Sequence, residues 1–288
     1  MSKRHPDNAP GDWYVDTACI DCAAARNVAP GLIVKSGGQS VFARQPKTDD
    51  ELRAAWRARL LCPTASVRTE TPAKARQDVF PEELADGVYR LGYNSKQFYG
   101  AHCYLIRRAA GNAMVDSPRY TRAVVAALEE WGGLSDILLS HRDDVADAER
   151  YAKHFKARVW IHEKDRSAAR FATDIIRVAE PQQIASDLLV IPVPGHTKGS
   201  VVYLFDGRWL FTGDSLAWSF DDDDLIAWED VCWYSWPEQT KSLARLLDYS
   251  FEGVFAGHGA SKRLPASEMH TRLAALVERM KAGGLNYR

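Results

Sequence analysis

Residues 188–200 read LLVIPVPGHTKGS, an apolar run closed by a Pro–Gly pair and followed at once by His196. A short continuous apolar run bounded by turn residues is read as a buried strand, so this strand delivers an imidazole at its end. The same arrangement recurs three times. DILLS (136–140) is followed by His141, RWLFTG (208–213) by Asp214, and VFAG (254–257) by His258. Ends of neighbouring strands converge along one sheet edge, where a rigid scaffold holds polar groups open to a cleft. Neutral imidazole and carboxylate suit zinc or iron. One His at a strand end is ordinarily a capping residue. Four such endings in one chain point to a metal-binding set of His141, His196, Asp214 and His258.

Outward from these strands, the pattern is layered. GVYRLG, HCYLI and NAMVD read as strands, the last two joined by a turn at Gly111 and Asn112. Val124, Val125, Leu128 and Trp131 fall at helical spacing, as do Val145, Ala148, Ala152 and Phe155. RVWIH and SVVYLF are further strands, and Leu243, Leu246 and Leu247, then Leu273, Leu276, Val277 and Met280, mark two later helices. Strands and helices that both interleave and cluster imply sheets covered by helices, an α/β layered domain over residues 79–288. Before it, TETPAKARQD (69–78) has no large apolar side chain and reads as a linker, and residues 1–12 read as a flexible tail.

Composition narrows the function classes. The 288 residues carry 37 Lys and Arg against 38 Asp and Glu, a net charge of −1, which gives no simple basis for binding nucleic acid or a membrane surface. No apolar run approaches the ~20 residues of a membrane span, and the N-terminus has no signal-peptide core. The expectation is a cytoplasmic protein acting on a small-molecule substrate, with its oligomeric state left open. Five Cys, an odd number, argue against a disulfide framework.

Taken in order, LLSHRDD, PVPGHTKGS, FTGDS and FAGHG resemble the metallo-β-lactamase superfamily. The resemblance covers residues 79–288 and implies an αββα sandwich with a metal site at the edge between its two sheets. His141 matches the first His of the family's His-x-His-x-Asp-His segment, His196 the later single His, Asp214 the carboxylate that bridges two metals, and His258 the last His. The chain departs at residues 141–148, HRDDVADA. Without a gap, Asp143 replaces the second His, and Val145 and Ala146 take the Asp and His positions. With two extra residues, Asp147 takes the place of the Asp and Ala148 that of the His. Either way a ligand of the second metal is missing, which favours one ion on His141, His196 and Asp214, with Asp143 or His258 as a further ligand. Asp144 reads instead as an acid in a first helical turn, complementing the helix dipole.

The resemblance implies a metallo-hydrolase, most readily one using zinc. The ion would lower the pKa of a water to about 7 and polarise the carbonyl or phosphoryl oxygen under attack; Asp143 or Asp147 would orient that water or accept its proton. Two His and one carboxylate are also the ligand type of non-haem iron enzymes, so iron redox chemistry stands as an alternative. A binding protein with a decayed site is the third reading. Thioesters, lactones, amides and phosphoesters all remain open as substrates.

Trp218, Phe220, Trp228, Trp233, Tyr234 and Trp236 crowd the segment after Asp214. Such a loop reads equally as a cleft wall, with Trp218 and Trp233 binding substrate, or as indoles packing the loop onto the body. His102, His154, His162 and His270 show no partner pattern and read as structural, and Cys103 and Cys232 as small buried apolar groups. Residues 13–68, with DTACIDCAAARNVAP and the later LLCPT, resemble a single-cluster bacterial-type ferredoxin, a small α+β domain. Cys19, Cys22 and Cys62 match its cluster ligands, whereas Ala25 stands at the third Cys position. A four-iron cluster requires four ligands, so the expectation is a ferredoxin-like domain without an iron–sulfur cluster.

Overall fold

The computed structural model describes residues 3–283 apart from 73, 75 and 77. Two sheets form the middle of the larger region. One has seven strands in the order Asp174–Ile176, Arg158–His162, Asp136–Leu138, Ala113–Val115, Tyr104–Ile106, Val88–Arg90 and Glu82–Ala85. The other has six, in the order Gln182–Ala185, Leu188–Pro192, Val201–Phe205, Trp209–Gly213, Gly253–Ala256 and Lys262–Arg263. Val88, Tyr104, Ile106, Val115 and Leu138 of the first pack on Val190, Tyr203, Phe211 and Phe255 of the second. Strands buried on both faces read as continuous apolar runs rather than alternating ones, and Val201–Phe205 and Trp209–Gly213 are buried at every residue.

Helices cover both outer faces. Arg122–Glu130 and Ala148–Phe155 lay Val124, Val125, Leu128 and Tyr151 on Leu105, Met114, Ile137 and Val159 of the seven-stranded sheet. Trp236–Arg245 and Ala266–Ala282 lay Leu243, Met269, Leu273, Leu276 and Met280 on Val202, Leu210 and Val254 of the six-stranded one. The result is an α/β sandwich of helix, sheet, sheet and helix. No helix among the described residues is long and apolar enough to cross a membrane.

The N-terminal region has its own core. Strand Trp13–Val15 pairs antiparallel with Val67–Thr69, and Ile33–Ser36 forms a hairpin with Gln39–Phe42. Helix Asp49–Leu61 starts at Thr48, whose hydroxyl accepts from the Glu51 amide while Glu51 reaches back to the Thr48 amide. Trp13 meets Trp56 edge to face at 5.3 Å, above Phe42 and Leu61.

Two boundaries differ from the sequence reading. Within the expected tail, the described residues from Lys3 onward are tied down. Asn8 is buried, its amide donating to the His5 and Val15 carbonyls and its oxygen accepting from the Val15 and Phe42 amides, and Arg4 donates to the Ala9 and Gly11 carbonyls. The expected linker starts too early: Thr69 pairs with Trp13, and the Glu70 amide donates to the Asp12 carbonyl. Three residues of that linker lie outside the described ones.

Candidate metal centre

His141, His196, Asp214 and His258 each lie one to four residues beyond a strand end, and the loops there bring them together. His141 Nε2 lies 3.5 Å and His196 Nε2 3.6 Å from Asp214 Oδ2, with the two imidazoles nearly perpendicular and their centroids 4.8 Å apart. Asp143 Oδ2 approaches His196 Nε2 to 3.7 Å. Asp214 also belongs to a second group with Asp144 and His258; in each trio the candidate ligand atoms lie within 4.8 Å of one another. His258 Nδ1 is 2.9 Å from both Asp214 oxygens.

Buried polar atoms ordinarily have partners. Here the Nε2 atoms of His141, His196 and His258 and both Asp144 oxygens are buried with no hydrogen bond. Five orphaned donor atoms around one shared carboxylate fit one or two metal ions. Asp144, read as a helix-dipole acid, is therefore corrected: it is fully buried beside Asp214 and His258. Where the sequence motif lacks a donor, the residue next to Asp143 places a buried carboxylate beside Asp214 and His258, because a turn sends adjacent side chains to different sides. Asp147 is corrected the other way. It sits at the start of helix Ala148–Phe155, its Oδ2 accepting from the Tyr120 amide at 2.7 Å, and it does not line the cleft.

Electrostatics follow from burying these groups together. Burial opposes charging of His141, but Asp144, Asp214 and Asp116 outweigh it and push its pKa to about 10. His258 is raised to about 9, Asp214 overcoming its burial. Burial alone would raise Asp214; the two imidazoles instead hold it well below the usual carboxylate range. Burial and the neighbouring Asp214 drive Asp144 well upward. Asp143, half-buried, is lowered chiefly by its contact with His196.

Asp116 escaped the sequence reading. Its buried carboxylate accepts from the Ser140 amide and hydroxyl at 2.8 Å each, and Ser140 Oγ lies 2.9 Å from His141 Nδ1. This chain orients the imidazole so that Nε2 faces the site, the support metal-binding His residues ordinarily have. The available signal was NAMVDS, a fifth strand ending in an acid. Asp165 was missed too; its carboxylate accepts from the Arg142 amide and the Thr197 hydroxyl, bracing the loops that carry His141 and His196.

The centre opens into a cleft of about 1200 Å³ lined by Phe98, Tyr99, Lys164, Lys198, Trp233 and Tyr234 among others. The amides of Trp233 and Tyr234 donate to the His196 carbonyl at 3.0 and 3.1 Å, so the aromatic loop is fastened to the loop that carries His196. Trp233 is 66% exposed, with its ring centroid 6.2 Å from that of His196. Trp218 is corrected: it is 1% exposed in the core under Lys262 and Arg272, not in the cleft.

Gly257 sits where a Cβ would lie 2.7 Å from Asp144 Oδ2 and 2.8 Å from Asp214 Oδ1. A Gly257→Ala variant is expected to displace these carboxylates and weaken metal binding by about tenfold or more, some 1.4 kcal/mol. Competition titration against a chromophoric chelator reads this directly; unchanged affinity would show that neither carboxylate holds the ion.

Fold and site together define a protein with the metallo-β-lactamase fold. The chain is similar to a metallo-β-lactamase superfamily protein of Sulfolobus tokodaii, at 18% identity and a TM-score of 0.50 over 70% of this chain and 88% of that one. It is 26% identical to an uncharacterized protein of Bacillus subtilis over 59% of this chain and 88% of that protein. It is 36% identical to a hydroxyacylglutathione hydrolase of Anaeromyxobacter dehalogenans over 42% of this chain. That alignment spans 49% of the hydrolase, about half its length. Residues 15–69 match the family described as the 4Fe-4S single cluster domain of Ferredoxin I.

The cysteines do not fit a four-thiolate cluster. Cys19 and Cys62 sulfurs accept from the Ser40 and Ser66 amides, and burial first, with Cys62 and Cys19 nearby, pushes the Cys22 thiol up to about 12. Ala25 is buried in the core with Val28 and Trp56. The other two cysteines are elsewhere: Cys103 in the sandwich core, and Cys232 donating to the Gly195 carbonyl.

Proposed function

We propose that this chain is a metal-dependent hydrolase acting on an ester or thioester carbonyl. The observation that carries the proposal is the set of orphaned imidazole nitrogens and carboxylate oxygens around Asp214, opening into a cleft. His141, Asp143, His196 and Asp214 would hold one ion, and Asp144, His258 and Asp214 a second. When bound, the metal supplies Lewis acidity and an activated water, as in zinc hydrolases. Asp143 is half exposed at the cleft and held ionised by His196, so it can accept a hydrogen bond from the attacking water and steer it. Trp233 and Tyr234 offer aromatic surface on one side of the cleft, and Lys164 and Lys198 offer positive charge at the wall. Similarity to hydroxyacylglutathione hydrolases favours thioesters over phosphoesters. A single-iron site on His141, His196 and Asp214 is less favoured, because Asp143, Asp144 and His258 add donors beyond a two-His, one-carboxylate triad.

The test is metal analysis by mass spectrometry with a substrate panel: S-lactoylglutathione, p-nitrophenyl acetate and bis(p-nitrophenyl) phosphate. Turnover of the thioester or ester should vanish with EDTA and return with zinc. Metal-loaded protein that hydrolyses none of the three would overturn the proposal.

A further inference from the structure

The cleft has a wall from outside the sandwich. Asp21, Cys22 and Ala23 of the ferredoxin-like region line it beside Phe98 and Tyr99. This seam is tight. Tyr99 Oη donates to the Ile20 carbonyl at 2.6 Å, and the Asn94 amide donates to the Leu61 carbonyl at 3.2 Å. Gly100, at φ +86°, lets the backbone so close that a Cβ would stand 2.9 Å from Cys22 Sγ and 3.1 Å from Pro63 Cγ. Tyr99 reaches further: its ring centroid is 6.0 Å from that of His258. One side chain thus touches both the ferredoxin-like loop and a metal ligand.

The loop itself is braced. Asp21 is held by Arg26 at 2.6 Å and Lys35 at 3.6 Å, and Arg26 also donates to Ser40. Asp21 and Ala23 both take left-handed backbone conformations, φ 57° and 60°. Such conformations cost about 1 kcal/mol or more per non-glycine residue and gather where a ligand is gripped. With the Asp21 charge engaged by Arg26 and Lys35, the wall here consists of half-buried Cys22 and Ala23, with Phe98, Trp228 and Val231 lining the same cleft.

We infer that residues 21–23 form a substrate-contacting wall of the hydrolytic cleft, selecting esters or thioesters whose apolar group is long enough to reach it from the metal centre. The ferredoxin-like region, lacking a fourth thiolate, then serves substrate choice rather than electron transfer. This inference rests on the hydrolase reading above, so its test includes a readout without turnover.

In the metal-loaded full chain, p-nitrophenyl decanoate should be preferred to p-nitrophenyl acetate. Ala23→Asn keeps a residue that tolerates the left-handed conformation while pushing a polar amide into the cleft. It should lower the decanoate-to-acetate ratio of kcat/KM by about tenfold, mainly through KM. Tyr99→Phe, which cuts the tie to Ile20 but keeps the ring on His258, should lower the ratio in the same direction and serves if Ala23→Asn folds poorly. Separately, tryptophan fluorescence should report saturable decanoate binding that Ala23→Asn weakens by at least ~5-fold. Binding that behaves this way without turnover of either ester defeats the hydrolase reading and keeps the wall. No decanoate binding by the wild-type chain, or equal binding and equal ratios in the variants, overturns the wall.

Discussion

Asp214→Ala is expected to abolish metal binding in both donor groups and to lower kcat/KM by ~10³-fold or more. Asp214 is the only residue common to the two trios, and its Oδ2 stands within 3.6 Å of both His141 and His196 nitrogens. The same variant alters the pH response of the metal-free protein. With Asp214 present, the His141 and His258 pKa values are raised to about 10 and about 9, and Asp144 is raised as well, so the folded state holds more protons than the unfolded chain. Stability from the imidazoles is then fully present below their unfolded pKa of ~6.5 and is lost as pH rises through 9 and 10. Melting curves of EDTA-treated wild type should fall in midpoint between pH 7 and 10, and Asp214→Ala should flatten that slope. Retention of two ions by Asp214→Ala would remove the shared-carboxylate account.

The second large effect is expected at Asp144. Asp144→Ala should reduce the metal content from two ions to one and lower kcat/KM by about 10- to 100-fold. In the metal-free protein it should also withdraw the charge that does most to raise His141, so the His141 pKa falls and the high-pH loss of stability moves to lower pH. Metal content unchanged at one ion per chain would make Asp144 a structural acid and leave a single-ion centre.

Much of this architecture is readable along the chain because it depends on local pattern. The apolar run VVYLF is buried at all five residues, as a strand covered by layers on both faces is. The positions of His141, His196, Asp214 and His258 were readable for the same reason, since a polar residue directly after such a run must lie at a strand end. Asp144 and Asp116 were misread or missed because their roles depend on which way a side chain turns just beyond a strand, and Trp218 because strand Ala217–Ser219 turns its indole into the core rather than the cleft. HRDD offers two adjacent acids, and spacing alone cannot tell which faces which donor group.

The N-terminal region divides in the same way. Its three cysteines and Ala25 were legible as an incomplete thiolate set, and composition determined that no further cysteine in residues 1–78 replaces the missing one. That the Asp21–Ala23 loop lines the cleft beside Tyr99 was not legible, because the contact joins segments some 80 residues apart through one phenol and one glycine. By itself the sequence determined the layers, the His and Asp positions at the strand ends and the missing thiolate, all properties of neighbouring residues and their periodicity. Only the tertiary structure decided that Asp144 completes the second donor group and that the small region walls the large one's cleft, because both depend on where loops point once the strands have been fixed by burial.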